Sequence, residues 1–466
     1  MTYIPDDHNE LIARYENMLK KQNVGYFDTA EFELIINYYD ELGGYDDALT
    51  VCEHALAQHP HETYFLIQKA HFLLNLYRIP EAEQCLDQID ASNQNLEYKL
   101  IRAALHIVSG KIEPAIQDLR TLLREHNDDP DAQTDILLWL STAYETALDF
   151  DKAQHYLTRA LKIQPQNELV HERLWSILQL TQQYANIGEI AQQLIENDPY
   201  NKLAWYTLGI TQYEQEQYEQ AAESFEYAYI VDKNFGNAYF QYADCLYQLE
   251  QYTQAINAFN QALTLLPIAD HPEILTNIGD CYEQTENFDQ AIRQYKKALK
   301  LNPQNHYTYF RMSETFAKQE KWRSALTNIQ KALQIDDNDP EYWMSLGYIQ
   351  AQLQNIPAAD TAYQTATQKT PQDEQVWIEY AGFLIDQNTP EKALQIVNEG
   401  IQQVSTEGAL LYCKVACLLD MGQHKAATLQ FAEAYEKAPQ LLQFFMDFYP
   451  ELQNNLNNLL GGISLN

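Results

Sequence analysis

Reactive chemistry in this chain would have to come chiefly from carboxylates. Of 466 residues, 66 are Asp or Glu against 30 Lys or Arg, a formal charge of −36. Paired carboxylates do acid–base work only at a set separation inside a shaped site, and nothing in the spacing fixes such a pair. There is no Gly-rich phosphate loop, Gly-x-Ser-x-Gly elbow or His-Glu-x-x-His helix. His54, His59 and His61 gather around Pro60, but zinc would need a fourth ligand and a preformed geometry, so they read as a surface turn. Cys52, Cys85, Cys245, Cys281, Cys413 and Cys417 form no Cys-x-x-Cys pair. Cys413 and Cys417 lie one helical turn apart with nothing to complete a site. All six read as small hydrophobes in a reducing compartment. The expectation is a non-catalytic protein with no metal and no cofactor.

The elements that would carry any site are helices. In Pro272–Asn305, Leu275, Ile278, Gly279 and Tyr282 form one apolar stripe and Ala291, Tyr295 and Ala298 another, with Pro303 closing the second. Two helices this short cannot bury their faces alone and must stack on copies of themselves. The copies begin near Thr29, Thr63, Leu96, Thr134, Glu168, Lys202, Gly236, Pro272, His306, Pro340, Glu374 and Gly408. The step is 34 residues except for one each of 33, 38 and 36. The two longer steps fall beside His126–Gln133 and Pro267–Pro272 and are expected to be longer surface turns.

In period and small-residue pattern the chain resembles the tetratricopeptide repeat family. That family's Trp-Leu-Gly trio stands here as Trp205, Leu208, Gly209 and as Trp343, Leu346, Gly347. Its second-helix Ala recurs at Ala48, Ala82, Ala115, Ala153, Ala221, Ala255, Ala291, Ala325, Ala359, Ala393 and Ala427. A later Ala recurs from Ala55 to Ala434, and a closing Pro from Pro60 to Pro439. The resemblance implies an all-α, right-handed α–α superhelix of about twelve helix-turn-helix repeats with capping helices at both ends. The expected division is an N-terminal cap over 1–28, the array over 29–441, and a C-terminal cap and tail over 442–466. Lys99 and Arg102, Ile187 and Lys414 depart from the pattern, marking repeats expected to stack less tightly. Gly209, Gly279 and Gly347 should let the second helix approach opposite Ala221, Ala291 and Ala359. Aromatics at Tyr45, Phe150, Tyr184, Tyr218, Tyr252, Phe288 and Trp322 should plug the ends of the helix pairs.

Partners in that family, often extended peptides, lie along the concave wall formed by the first helices. Carrying over those positions gives Tyr206, Tyr213 and Glu214; then Asn237, Phe240, Asp244 and Tyr247; then Glu273, Asp280 and Glu283. The next repeats offer Tyr307, Phe310 and Glu314, and then Glu341, Met344 and Tyr348. Such a wall mixes rings with carboxylates and predicts a basic, partly apolar protein or peptide segment. The positions that would grip a C-terminal carboxylate are mainly acidic, aromatic or aliphatic, which disfavours that role. The implied function is an interaction scaffold or adaptor. An assembly or secretion chaperone for a basic client, or a peptide-sensing regulator acting through superhelix change, is the alternative.

The acidity disfavours nucleic acid and anionic membranes. The start lacks a basic region followed by an apolar run, and no stretch has the length to span a bilayer. A cytoplasmic protein is expected. Asp6 or Asp7 should start a helix with Leu11, Tyr15, Met18 and Leu19 on one face. At the other end Leu441, Leu442, Phe445, Phe448, Leu452, Leu456, Leu459 and Leu460 offer an apolar cap, with more surface than a minimal cap requires and so room for a second use as a dimer or partner contact.

Overall fold

A computed structural model describes residues 6–21, 25–181, 184–404 and 408–449. Among these residues regular structure is entirely helical: twelve consecutive helix pairs follow a first helix, Asp6–Lys21, and precede a last one, Leu442–Phe448. The fold class is that of the tetratricopeptide repeat superhelix. The chain divides into two compact units, residues 1–232 and 233–466, each holding six of the pairs.

Local signals fix where the helices begin. The residue before a first helix is commonly Asp or Asn, whose side chain accepts a hydrogen bond from an otherwise unpaired backbone N–H. Asn201 accepts from Leu203 and Ala204, Asn305 from Thr308, Asp339 from Glu341 and Asp373 from Gln375. Asp28 and Glu31 form a reciprocal capping box. Each described hairpin turn between paired helices contains one residue at positive φ, such as Glu250 (φ 60°), Glu320 (φ 56°) and Gln354 (φ 60°). The Trp-Leu-Gly trio is structural: Trp205 donates its indole N–H to the Pro199 carbonyl at 2.9 Å, and Trp343 donates to that of Asp337 at 2.8 Å.

The step after Leu96 differs from expectation. The extra residues do not lengthen a turn; they lengthen the helix, which runs Pro130–Thr146. Asp129 caps it by accepting from the Ala132 N–H at 3.1 Å, and Pro130 suits a first helical turn, where no N–H is needed. The other long step is a turn, with the Asp270 N–H bonded to the Pro267 carbonyl at 3.0 Å.

Packing explains the small residues, with one change of partner. A Cβ built on Gly209, Gly279 or Gly347 would have as its nearest neighbours the rings of Phe225, Tyr295 and Tyr363, at 2.7, 2.4 and 2.8 Å. Each ring lies one turn beyond the alanine named from sequence, so the glycine makes room for an aromatic ring. The six plug residues other than Tyr184, whose side chain lies outside the described residues, are half-buried. Two of them meet a ring at the end of the first helix edge to face: Tyr213–Tyr218 at 5.3 Å and Tyr247–Tyr252 at 5.4 Å.

The off-pattern charges are accommodated at the edge of the stack. Lys99 pairs with Glu125 at 3.3 Å, Arg102 with Asp87 at 2.9 Å, and Lys414 is half-buried. At the N-terminus Ile12 and Tyr15 are buried, Leu11 and Met18 are partly so, and Leu19 is exposed. The buried Tyr15 hydroxyl is hydrogen-bonded to His54 Nδ1 at 2.7 Å. At the C-terminus Phe445 stacks on Tyr412 at 5.3 Å. The Phe448 side chain and Leu452, Leu456, Leu459 and Leu460 lie outside the described residues. All six cysteines are buried and unpaired, and burial pushes the Cys281 and Cys417 thiols up to about 12. Such thiols are poor nucleophiles.

Candidate interaction surface

The sixteen residues expected to line a binding wall do not share one environment. Tyr206, Tyr213 and Glu214 belong to the first compact unit. Tyr213 is half-buried and Glu214 is exposed. Tyr206 is 6% exposed, wedged between Trp175 and Phe225 at 4.8 and 5.4 Å; it is core.

In the second unit Asn237 and Glu273 are exposed, and Phe240, Asp244 and Tyr247 are half-buried. Phe240 lies against the buried Phe259 at 5.6 Å. Phe310 is a second correction: it is 2% exposed and stacks on Tyr342 at 4.8 Å. First-helix positions that look alike in sequence face different ways because a helix presents a ring to its own hairpin or to open space with a shift of only one residue.

Asp280 and Glu283 are the third correction. They are 6% and 2% exposed and are not open carboxylates. Arg311, which the sequence reading passed over, reaches back from the next repeat. Its Nε donates to Asp280 Oδ1 at 2.9 Å, one Nη donates to Glu283 Oε2 at 2.8 Å, and the other lies 3.6 Å from Glu314. Tyr295, the ring under Gly279, donates its hydroxyl to Asp280 at 2.7 Å. Lys318 pairs with the second oxygen of Glu283. Burial weighs against the Arg311 charge, but the Asp280 and Glu283 carboxylates outweigh it and hold the guanidinium firmly protonated. One signal was available: Asp280 and Glu283 are spaced three apart on one helix face, and Arg311 sits about one repeat later.

Tyr307 and Tyr348 are 45% and 49% exposed. Glu314, Glu341, Met344 and Tyr348 come together around one recess of about 440 Å³, which also takes in Ser345 and Glu379. Burial pushes the Glu314 carboxyl up, with nearby Glu341 and Glu283 adding to the shift and Arg311 opposing it. Glu341 and Glu273 are exposed, yet partial desolvation raises both, with Asp339 adding and Arg311 opposing at Glu341 and with Asp270 and Asp244 adding at Glu273. Burial and the Asp280 charge push the Tyr307 hydroxyl up to about 12.

Among the described residues no three His, Cys, Asp or Glu side chains gather as metal ligands. No described helix is long and apolar enough to cross a membrane.

Four family models, all described as tetratricopeptide repeat, match the chain. One matches residues 235–304, a second 41–105 and 284–353, a third 204–234 and 340–367, and a fourth 134–167. No curated protein matches the sequence. Solved structures that resemble it include the APC/C hetero-tetramer Cut9–Hcn1, at 15% identity over 88% of this chain and 92% of that one, TM-score 0.43. Yeast Tom70 resembles it at 15% identity over 84% and 96%, TM-score 0.43. YrrB, described as a TPR protein with an unusual peptide-binding site, does so at 17% identity over 41% and 96%, TM-score 0.33. With the helix pairs, the glycine–ring contacts and the four family-model matches in hand, the chain belongs to the tetratricopeptide repeat family.

Proposed function

We propose that this protein is a non-catalytic interaction scaffold or adaptor that binds an extended, basic and partly apolar segment of another protein. Residues 29–441 form the interaction array in this reading, flanked by capping segments over 1–28 and 442–466, and the protein works in the cytoplasm. The observation that carries it is the pairing of exposed rings with carboxylates in the second unit: Tyr348 shares one recess with Glu314, Glu341 and Glu379, and Tyr307 lies near Glu341. Rings give contact area at low conformational cost, and carboxylates select cations and repel acidic partners and phosphate backbones.

The test is a peptide array probed with the full chain at two salt concentrations. Basic, apolar-flanked segments should bind better than their acidic counterparts, and more weakly at high salt. Tyr307→Ala and Tyr348→Ala should each weaken capture about tenfold, roughly the 1–2 kcal/mol of an interface aromatic, while the fold is kept. Phe310→Ala would remove a core ring at a cost of about 3–5 kcal/mol and reports on stability instead. An array without preference between basic and acidic segments would refute the proposal.

A further inference from the structure

The wall contains a worked example of how it holds a cation, and the next repeat has the same place without the cation. Arg311 spans from the His306 repeat to Asp280 and Glu283 of the Pro272 repeat. One 34-residue step further along, the position of Arg311 is Ser345, that of Asp280 is Glu314, and that of Glu283 is Ala317. Ser345 is too short to reach back as Arg311 does. The recess of about 440 Å³ opens at this point, lined by Glu314, Ser345 and Ala317 themselves.

The rest of the lining suits the missing group. Met344 and Tyr348 offer apolar flanks for an alkyl stem, and Glu314, Glu341 and Glu379 supply carboxylates. Lys318 also borders the recess, but its ammonium is committed to the buried Glu283. Arg311 also stands 3.6 Å from Glu314, but with Lys318 it matches only Asp280 and Glu283 in charge, so the three carboxylates of the recess are left in excess. An arginine side chain buries its stem on apolar surface and presents a planar fork to carboxylates.

The geometry points to this recess as the seat of an arginine side chain donated by an extended segment of a partner protein, taking the place that Arg311 fills one repeat earlier. This rests on the reading of the wall given above and deepens it by naming the anchor residue and where it docks. The carboxylates are supplied by three successive first helices, beginning at His306, Pro340 and Glu374, so the anchor bridges neighbouring repeats as Arg311 does.

The experiment uses the full chain and two fluorescein-labelled nine-residue peptides of alternating Ala and Leu, one with a central arginine and one with citrulline, its neutral near-isostere. The arginine peptide should bind about tenfold more tightly, and Ser345→Arg, which supplies the cation from within the chain, should bring the two to within about twofold. If Ser345→Arg does not fold, Glu341→Gln combined with Glu379→Gln reads the same preference and should shrink it likewise. Equal affinities in the wild-type chain, or a preference untouched by either variant, would overturn the assignment while leaving the wider wall to the peptide array. Binding of neither peptide also overturns it, and the array then decides the wall separately. Free L-arginine that displaces the peptide at equal concentration would overturn the partner-segment assignment.

Discussion

Replacing Arg311 by Met keeps most of the stem and removes the charge that neutralises two carboxylates. Asp280 and Glu283, at 6% and 2% exposed, would then stay buried with less compensation. Breaking a buried ion pair from one side costs about 3–5 kcal/mol. Here the lower end, about 3 kcal/mol, is expected, because Asp280 keeps the Tyr295 hydroxyl and Glu283 keeps Lys318. The sign with pH follows from burial. Burial already raises the Asp280 carboxyl, and without Arg311 it rises further, so the folded variant holds a proton better than the unfolded chain does. The deficit is therefore full at neutral pH and shrinks as pH falls through the raised folded-state value. Adding Asp280→Asn and Glu283→Gln removes the stranded charges and should recover more than half of the loss. An array of repeats can unfold piecewise, so the assay is native-state hydrogen exchange on the helices His271–Gln284 and His306–Lys318, with urea unfolding beside it. A single variant within about 0.5 kcal/mol of wild type, or a deficit that does not shrink on acidification, would refute the reasoning.

Gly279→Ala places a Cβ in steric clash with the edge of the Tyr295 ring, nearest Cε1, and should cost about 1–3 kcal/mol of overpacking in urea unfolding. His171 is fully buried, with Nδ1 hydrogen-bonded to Thr207 at 2.9 Å and Nε2 to the Pro165 carbonyl at 3.0 Å; burial lowers its pKa to about 4. Its folded-state pKa lies below the unfolded value, so its contribution is complete above about pH 6.5 and is lost as pH falls towards 4. His171→Gln should flatten that part of the stability–pH curve relative to wild type, a difference of the order of 3 kcal/mol at most. The off-pattern repeats should open first: exchange in Leu96–Val108 and Glu168–Thr181 is expected to outpace that in Gly236–Gln248 and Pro340–Gln352, and uniform exchange would contradict this.

Periodicity alone determined the helices, their pairing and the position of nearly every first helix, because a 34-residue unit with one apolar face per helix can be satisfied only by stacking. The Asp and Asn caps, the Trp-Leu-Gly trio and the room made by Gly279 are equally local, and they were legible as residue types at fixed spacing. The extra turn at Pro130–Thr146 was not, since an Asp-Pro step reads alike as a loop or as a helix start until the Asp129 side chain is seen capping Ala132.

Which first-helix residues face open space was decided only by the tertiary structure. Tyr206 and Phe310 occupy groove positions by count but are drawn into the core by Phe225 and Tyr342, rings that arrive from other helices. Asp280 and Glu283 read as acidic wall, yet Arg311 neutralises them from a repeat away. Sequence order carries the repeat because its period is short-range. The charge balance of the wall depends on side chains that meet across repeats, and only their packing fixes which carboxylate meets a cation and which is left facing the recess.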